Sequence, residues 1–179
     1  MRNFRFKACR GAAILALLAA PYIVPGAAGS TDGPDARPVF PDLLLVDGSG
    51  LPFRLARYLG QNVVVIEFGA SACGPCVQDL TYLNRLQGDF RKFPVKVIAV
   101  SEDDADITAI KEFEKRQKLN FLQPFADPKA TAAQALGVTA LPTTYIVDRH
   151  GRIALTVQGP QVWDSAAYEA RIRMLLLQP

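Results

Sequence analysis

Histidine is nearly absent from this chain of 179 residues: His150 is the only one, beside three cysteines, two methionines and one tryptophan. A structural zinc site takes about four ligands, usually two cysteine pairs or one pair with histidines. Beyond Cys73 and Cys76 the chain offers only Cys9 and His150, so no zinc set assembles, and neither a metal nor a cofactor is expected. His150 sits in the turn-like stretch "DRHGR" and is given no functional role. Long apolar runs are missing too. The longest, Gly11 to Val24, is about 14 residues and contains Pro21, whereas a membrane-spanning helix wants about 20. There is no internal repeat and no low-complexity tract. A basic surface is also lacking. The formal net charge is +3, but Arg2, Arg5, Lys7 and Arg10 crowd the first ten residues. Without them 16 basic residues face 17 acidic ones, which leaves no electrostatic footprint for nucleic acid.

What is present begins with a targeting pattern. A basic start, "MRNFRFKACR", leads into the apolar "GAAILALLAAPYIV" and then the small-residue stretch "PGAAGS". That is the order of a secretory signal, with Ala27 and Gly29 at the small positions before a cut near Ser30. Residues 1–29 are therefore read as a signal peptide or an N-terminal membrane anchor, 30–38 as a polar linker, and 39–179 as one folded domain. Cys9 precedes the apolar run and belongs to the leader. Export places the chain in the periplasm or cell envelope, where disulfides persist. A bridge closing a loop as short as Cys73 to Cys76 constrains the unfolded chain little, so the pair reads as chemistry rather than as a staple.

Hydrophobic periodicity supplies the elements. "LLLVDGSGLPFRL" reads as a hairpin around an Asp-Gly-Ser-Gly turn. "NVVVIEF" and "VKVIAVS" are buried strands, and Cys73 to Phe90 between them carries an apolar stripe through Val77, Leu80, Leu83, Leu86 and Phe90. A second helix is expected over Asp104–Lys118, capped by Asp103 or Asp104, with Ile107, Ile110 and Phe113 inward. "DPKATAAQALG" predicts a short helix with Asp127 as cap, Pro128 at its first position and Gly137 at its end. "TTYIVD" and "RIALTVQ" form a hairpin, and Ser165–Leu177 a last helix with Tyr168, Ile172 and Leu175 inward. The predicted fold is α/β: a mixed central sheet with helices on both faces and an added N-terminal hairpin.

The chemistry gathers at "IEFGASACGPCVQDL". Residues three apart on a helix share a face, which brings the Cys73 and Cys76 Cα atoms near disulfide distance. Pro75 suits the first turn, and the unpaired N–H groups there, with the helix dipole, favour a thiolate. Cys73 comes first and is expected to be the attacking nucleophile, with Cys76 deeper and resolving the mixed disulfide. Half a zinc site and two inert thiols are the competing readings. C-x-x-C within a β–α–β pattern favours a redox pair.

"CGPC" after a buried strand, followed about 65 residues on by "GVTALPTTYIVDRHGRI", resembles the thioredoxin fold, and more narrowly the exported TlpA/ResA/DsbE-like thiol–disulfide oxidoreductases. The resemblance covers residues 39 to 177 and marks Gly74 and Pro75 as the motif between the cysteines. It implies that Pro142 is cis and faces the pair, and that Leu141, Pro142 and Thr143 offer backbone to an extended substrate. Glu67, a lone acid among apolar neighbours, is by itself either a strand end reaching solvent or a buried carboxyl. The resemblance places such an acid beneath the pair, ready to take a proton from Cys76. Asp79, on the same helical face as Cys76, either tunes the thiols, as acids at this place do in relatives, or merely suits the helix N-terminus. Gly69 and Ala72 stand where relatives commonly carry tryptophan, and Trp163 lies elsewhere in the sequence.

The expected function is an exported thiol–disulfide oxidoreductase, monomeric, that reduces protein disulfides. Gly-Pro between cysteines is the thioredoxin pairing, with a potential of about −270 mV. The implied partners are a membrane electron donor of the DsbD/CcdA type and protein thiols or disulfides, either apocytochrome c haem-site cysteines or copper-site thiols. A thiol oxidase or isomerase, and a Cu(I)-binding chaperone module, are the alternatives. A peroxidase is disfavoured, because no threonine precedes a single cysteine at peroxidase spacing.

Overall fold

The computed structural model describes residues 36–178. The expected leader and most of the expected linker lie outside the described residues. The domain opens with a hairpin, β1 (Leu44–Asp47) and β2 (Pro52–Arg54), then β3 (Val63–Gly69), α1 (Gly74–Asp89) and β4 (Val95–Ser101). There follow α2 (Ile107–Arg116), β5 (Pro124–Ala126), α3 (Thr131–Ala135), the hairpin β6 (Thr143–Val147) and β7 (Ile153–Gln158), and α4 (Ala166–Leu176). The strands form one sheet in the order β2-β1-β5-β4-β3-β6-β7. β3, β4 and β5 run parallel, while the remaining neighbours pair antiparallel.

β3 is apolar on both sides because both sides are covered. Val64, Ile66 and Phe68 pack with Phe40, Leu45, Ile98 and Tyr145, the side that also takes Ala132 and Ala133 of α3. Val63 and Val65 face Leu83 and Leu86 of α1, Ile172 and Leu175 of α4, and Trp163. In the hairpin turn Gly50 has φ of +79°, while Asp47 Oδ1 accepts from Ser49 N at 2.8 Å and Leu51 N at 3.1 Å. Glycine takes that left-handed conformation without a Cβ penalty.

Four local expectations need correction. β5 was not foreseen: three residues starting with proline carry no readable period, yet Phe125 and Ala126 are buried and join the N-terminal hairpin to the parallel strands. α2 starts at Ile107, capped by Asp106, which accepts from Thr108 N at 2.7 Å and Ala109 N at 3.1 Å. Asp103 is held instead by Ser71 and Ser101. Asp127 does satisfy the first N–H groups of α3, at Thr131, Ala132 and Ala133, but from several residues upstream, so Pro128 precedes the helix. On α1 the buried stripe runs through Cys76, Asp79, Leu83 and Leu86, with Val77 and Leu80 only half-buried. That rotation puts an acid and a sulfur on the face turned to the core.

Candidate active site

β3 ends at Gly69, and the chain turns through Ala70, Ser71 and Ala72 into α1. The turn is pinned from the neighbouring strand: Glu102 N donates to Gly69 O at 2.8 Å, and the Ser71 N–H and hydroxyl both donate to Asp103 at 3.0 Å. Cys73 takes the N-cap position in an extended conformation, and its sulfur accepts from Cys76 N at 3.2 Å. Pro75 lies in the first turn, where its missing N–H has no helical partner to lose. Cys73 and Cys76 form a disulfide with Cα atoms 5.3 Å apart. Cys73 is partly exposed, whereas Cys76 is 1% exposed.

Beneath the pair lie two carboxyl groups. Glu67 is 1% exposed; its Oε2 accepts from the Thr144 hydroxyl at 3.0 Å, and its Oε1 has no hydrogen-bond partner among the described residues. Burial pushes its pKa well above the usual carboxylate value, the nearby Asp79 charge pushes the same way, and the Thr144 hydrogen bond opposes both. Asp79 is fully buried yet well supplied with donors: Trp163 Nε1 at 3.0 Å and Gln161 N at 3.2 Å. Burial raises its pKa too, but the donors from Trp163 and Gln161 hold the rise back. The Asp79 charge is the one its donors support, and that charge raises Glu67 further.

Gly69 separates this carboxyl from the sulfur. A Cβ at position 69 would lie 3.1 Å from Cys76 Cβ, 3.5 Å from Cys76 Sγ and 3.9 Å from Glu67 Oε1. A side chain there would crowd Cys76 and force it to give by a few tenths of an ångström. Ala72 is exposed. The Leu141–Pro142 peptide bond is cis. Thr143 pairs with Phe68 of β3 and Gln158 of β7, which sets Pro142 at the β3 end that leads to the cysteines. Thr143 is buried with partners on both sides, so the backbone ahead of the paired rows is that of Leu141. His150 lies beyond the opposite end of β6, where its N–H donates to Asp148 at 2.9 Å.

The arrangement is a dithiol–disulfide couple at a helix N-terminus, backed by a buried acid whose pKa is raised. Residues 37–156 match the model of the AhpC/TSA family, which is more than half of the chain. The chain belongs to the AhpC/TSA family. Within it, the chain is 30% identical over 122 residues to the thiol-disulfide oxidoreductase ResA of Bacillus thuringiensis, covering 68% of each protein. It is 31% identical over 120 residues to the ResA of Geobacillus thermodenitrificans, covering 66% of this chain and 67% of that one. Among solved structures, that of a protein assigned as thiol:disulfide interchange protein DsbE from Chlorobium tepidum superposes with a TM-score of 0.69 at 29% identity, covering 78% of this chain and 96% of that one. This AhpC/TSA member has a thioredoxin-like fold and is a ResA/DsbE-like thiol–disulfide oxidoreductase.

Two site neighbours were not anticipated. Trp163, read from sequence as remote, is fully buried and donates to Asp79, with Tyr168 stacked on it at a centroid distance of 4.5 Å. Thr144 lies directly across from Glu67 in the β3–β6 register. Only the pairing of distant strands reveals Thr144. An acid on the apolar stripe of α1 was the available hint that a donor such as an indole N–H must sit opposite it.

Proposed function

We propose that this oxidoreductase works outside the cytoplasm as a reductant of protein disulfides, with Cys73 as nucleophile and Cys76 as resolving thiol. The Cys73 thiolate attacks one sulfur of the substrate disulfide, and the other leaves as a thiolate. The Cys76 thiolate then attacks Cys73 in the mixed disulfide. The second substrate thiolate is released, and two electrons have moved from the pair to the substrate. Glu67 in its carboxylate form receives the Cys76 proton in this second step, because a carboxylate raised toward thiol basicity accepts a proton better than an ordinary one. Asp79 acts through Glu67, its charge helping to hold that basicity high. An extended substrate segment lies along Leu141 beside cis-Pro142.

The observation that carries this reading is the unequal pair: a partly exposed Cys73 capping the helix, with Cys76 buried and lining the same cavity as Glu67. The basic-then-apolar leader supports export, as a cleaved signal or as an anchor. A reductant in an oxidising compartment needs electrons, so a membrane thiol donor of the DsbD/CcdA type regenerates the dithiol. The resemblance supports apocytochrome c haem-site cysteines or copper-site thiols as targets. The test is trapping: Cys76→Ser in the native host should accumulate mixed disulfides through Cys73, released by reductant, and Cys73→Ser should accumulate none. A Cys76→Ser protein that captures no thiol partner contradicts the proposal.

A further inference from the structure

A cavity of about 360 Å³ opens beside the disulfide and plays no part in the steps above. Its inner end is Cys76, Glu67 and the two small strand residues Gly69 and Ala99. Ala99 is the β4 partner of Glu67 in register, so the smallest side chains available flank the acid. Its exposed lining includes Ser71, two residues before Cys73, and Ala109. Between them the wall is apolar: Leu80 of α1, with Ile110 and Phe113 of α2.

The cavity also holds acids without matching cations. Glu114 is 8% exposed, and its carboxyl makes no hydrogen bond or ion pair among the described residues. Burial alone raises its pKa to about 7. Glu67 Oε1 is buried on the same wall, also without a partner. The other charged groups facing this space are Asp103, already accepting from Ser71 and Ser101, the exposed Asp104, and Arg116. Arg116 is exposed and reaches back to Glu112 at 4.0 Å. A purely apolar occupant would shut Glu114 away from water beside the already buried Glu67 and leave both carboxyl groups unmet. An anion would meet mostly like charge. A long aliphatic stem ending in a cation satisfies both walls.

We propose that the cavity is the subsite for an arginine or lysine side chain flanking a cysteine of the substrate disulfide, with its stem against Leu80, Ile110 and Phe113 and its charge on Glu114. The proposal deepens the reductase reading and rests on it. Pairing with a cation draws the proton from Glu114, so the preference for a basic residue strengthens as pH rises through about 7. Substrate thiols also titrate, but a ratio of rates between two peptides of the same frame cancels that dependence.

The test uses the reduced full-length protein and two synthetic disulfide peptides that differ only in arginine or glutamine within two residues of one cysteine. At pH 8 the arginine peptide should be reduced with a kcat/KM about 10-fold higher, the scale of one charge-assisted hydrogen bond. At pH 5.5 the ratio should fall to within about 2-fold, following protonation of Glu114. Glu114→Gln should bring the pH 8 ratio near one. Ala109→Phe, which adds bulk to the cavity lining from an exposed helix position, should do the same. A ratio near one in the unaltered protein at pH 8, or a preference that survives both substitutions, overturns the assignment. Failure to reduce either peptide instead overturns the reductase reading, and this subsite with it.

Discussion

Glu67→Gln should stabilise the protein and slow it at the same time. The native state keeps a proton on Glu67 at pH values where the unfolded chain has lost it, because the folded pKa lies well above 4.5. In that window the native state binds more protons, so stability falls as pH rises, by about 1.4 kcal/mol per pH unit. Glutamine has a similar shape, can still accept from Thr144, and does not titrate. Near pH 4, below both pKa values, the two proteins should be equally stable. Above it the variant should gain about 1.4 kcal/mol per unit over the unaltered protein, roughly 3–6 °C in Tm for a domain of this size, until the folded pKa is passed. Urea unfolding of the disulfide form at several pH values measures the gain without interference from thiols. The cost appears in single-turnover kinetics: resolution of the mixed disulfide should slow by about 10²–10⁴, the usual worth of a positioned base. Parallel stability curves for the two proteins between pH 5 and 7 would refute the claim that Glu67 is held protonated.

Asp79→Ala leaves the buried Trp163 N–H unpaired and should destabilise by about 1–3 kcal/mol in urea. Trp163, the sole tryptophan, should report the ionisation of Asp79 as a fluorescence change above the ordinary aspartate range, and Asp79→Asn should abolish that change. Gly69→Ala sets a methyl 3.1 Å from Cys76 Cβ and should cost the disulfide form about 1–3 kcal/mol, read from its unfolding midpoint. Glu102, whose two carboxyl oxygens are buried without partners among the described residues, has its pKa raised to about 7 by burial and by the Asp127 and Asp103 charges. Glu102→Gln should therefore raise Tm at pH 8 and leave it unchanged at pH 4.

Much of the architecture was readable because it rests on strong local signals. The β3 run, the span of α1, the Ile172 and Leu175 face of α4 and the Asp-Gly-Ser-Gly turn appear where hydrophobic period and turn chemistry put them. β5 escaped because a three-residue strand is made by its neighbours, Ser101 and Val46, and not by its own pattern. The α2 cap moved to Asp106 because Asp103 gains more from the Ser71 loop, a contact across 32 residues that no local rule sees. In the site, Glu67 was conspicuous as one acid in an apolar strand. Its pairing with Thr144, and that of Asp79 with Trp163, depend on chain segments 77 and 84 residues apart. Gly69 read only as a missing tryptophan until the position of Cys76 explained it.

The central claim is that the Cys73–Cys76 couple gives electrons away. Its reduction potential, measured by equilibration against glutathione or thioredoxin buffers, tests that directly. The account predicts a value of about −250 mV or below, close to the thioredoxin range. A value near −120 mV, where the pair would instead oxidise its partners, would contradict it.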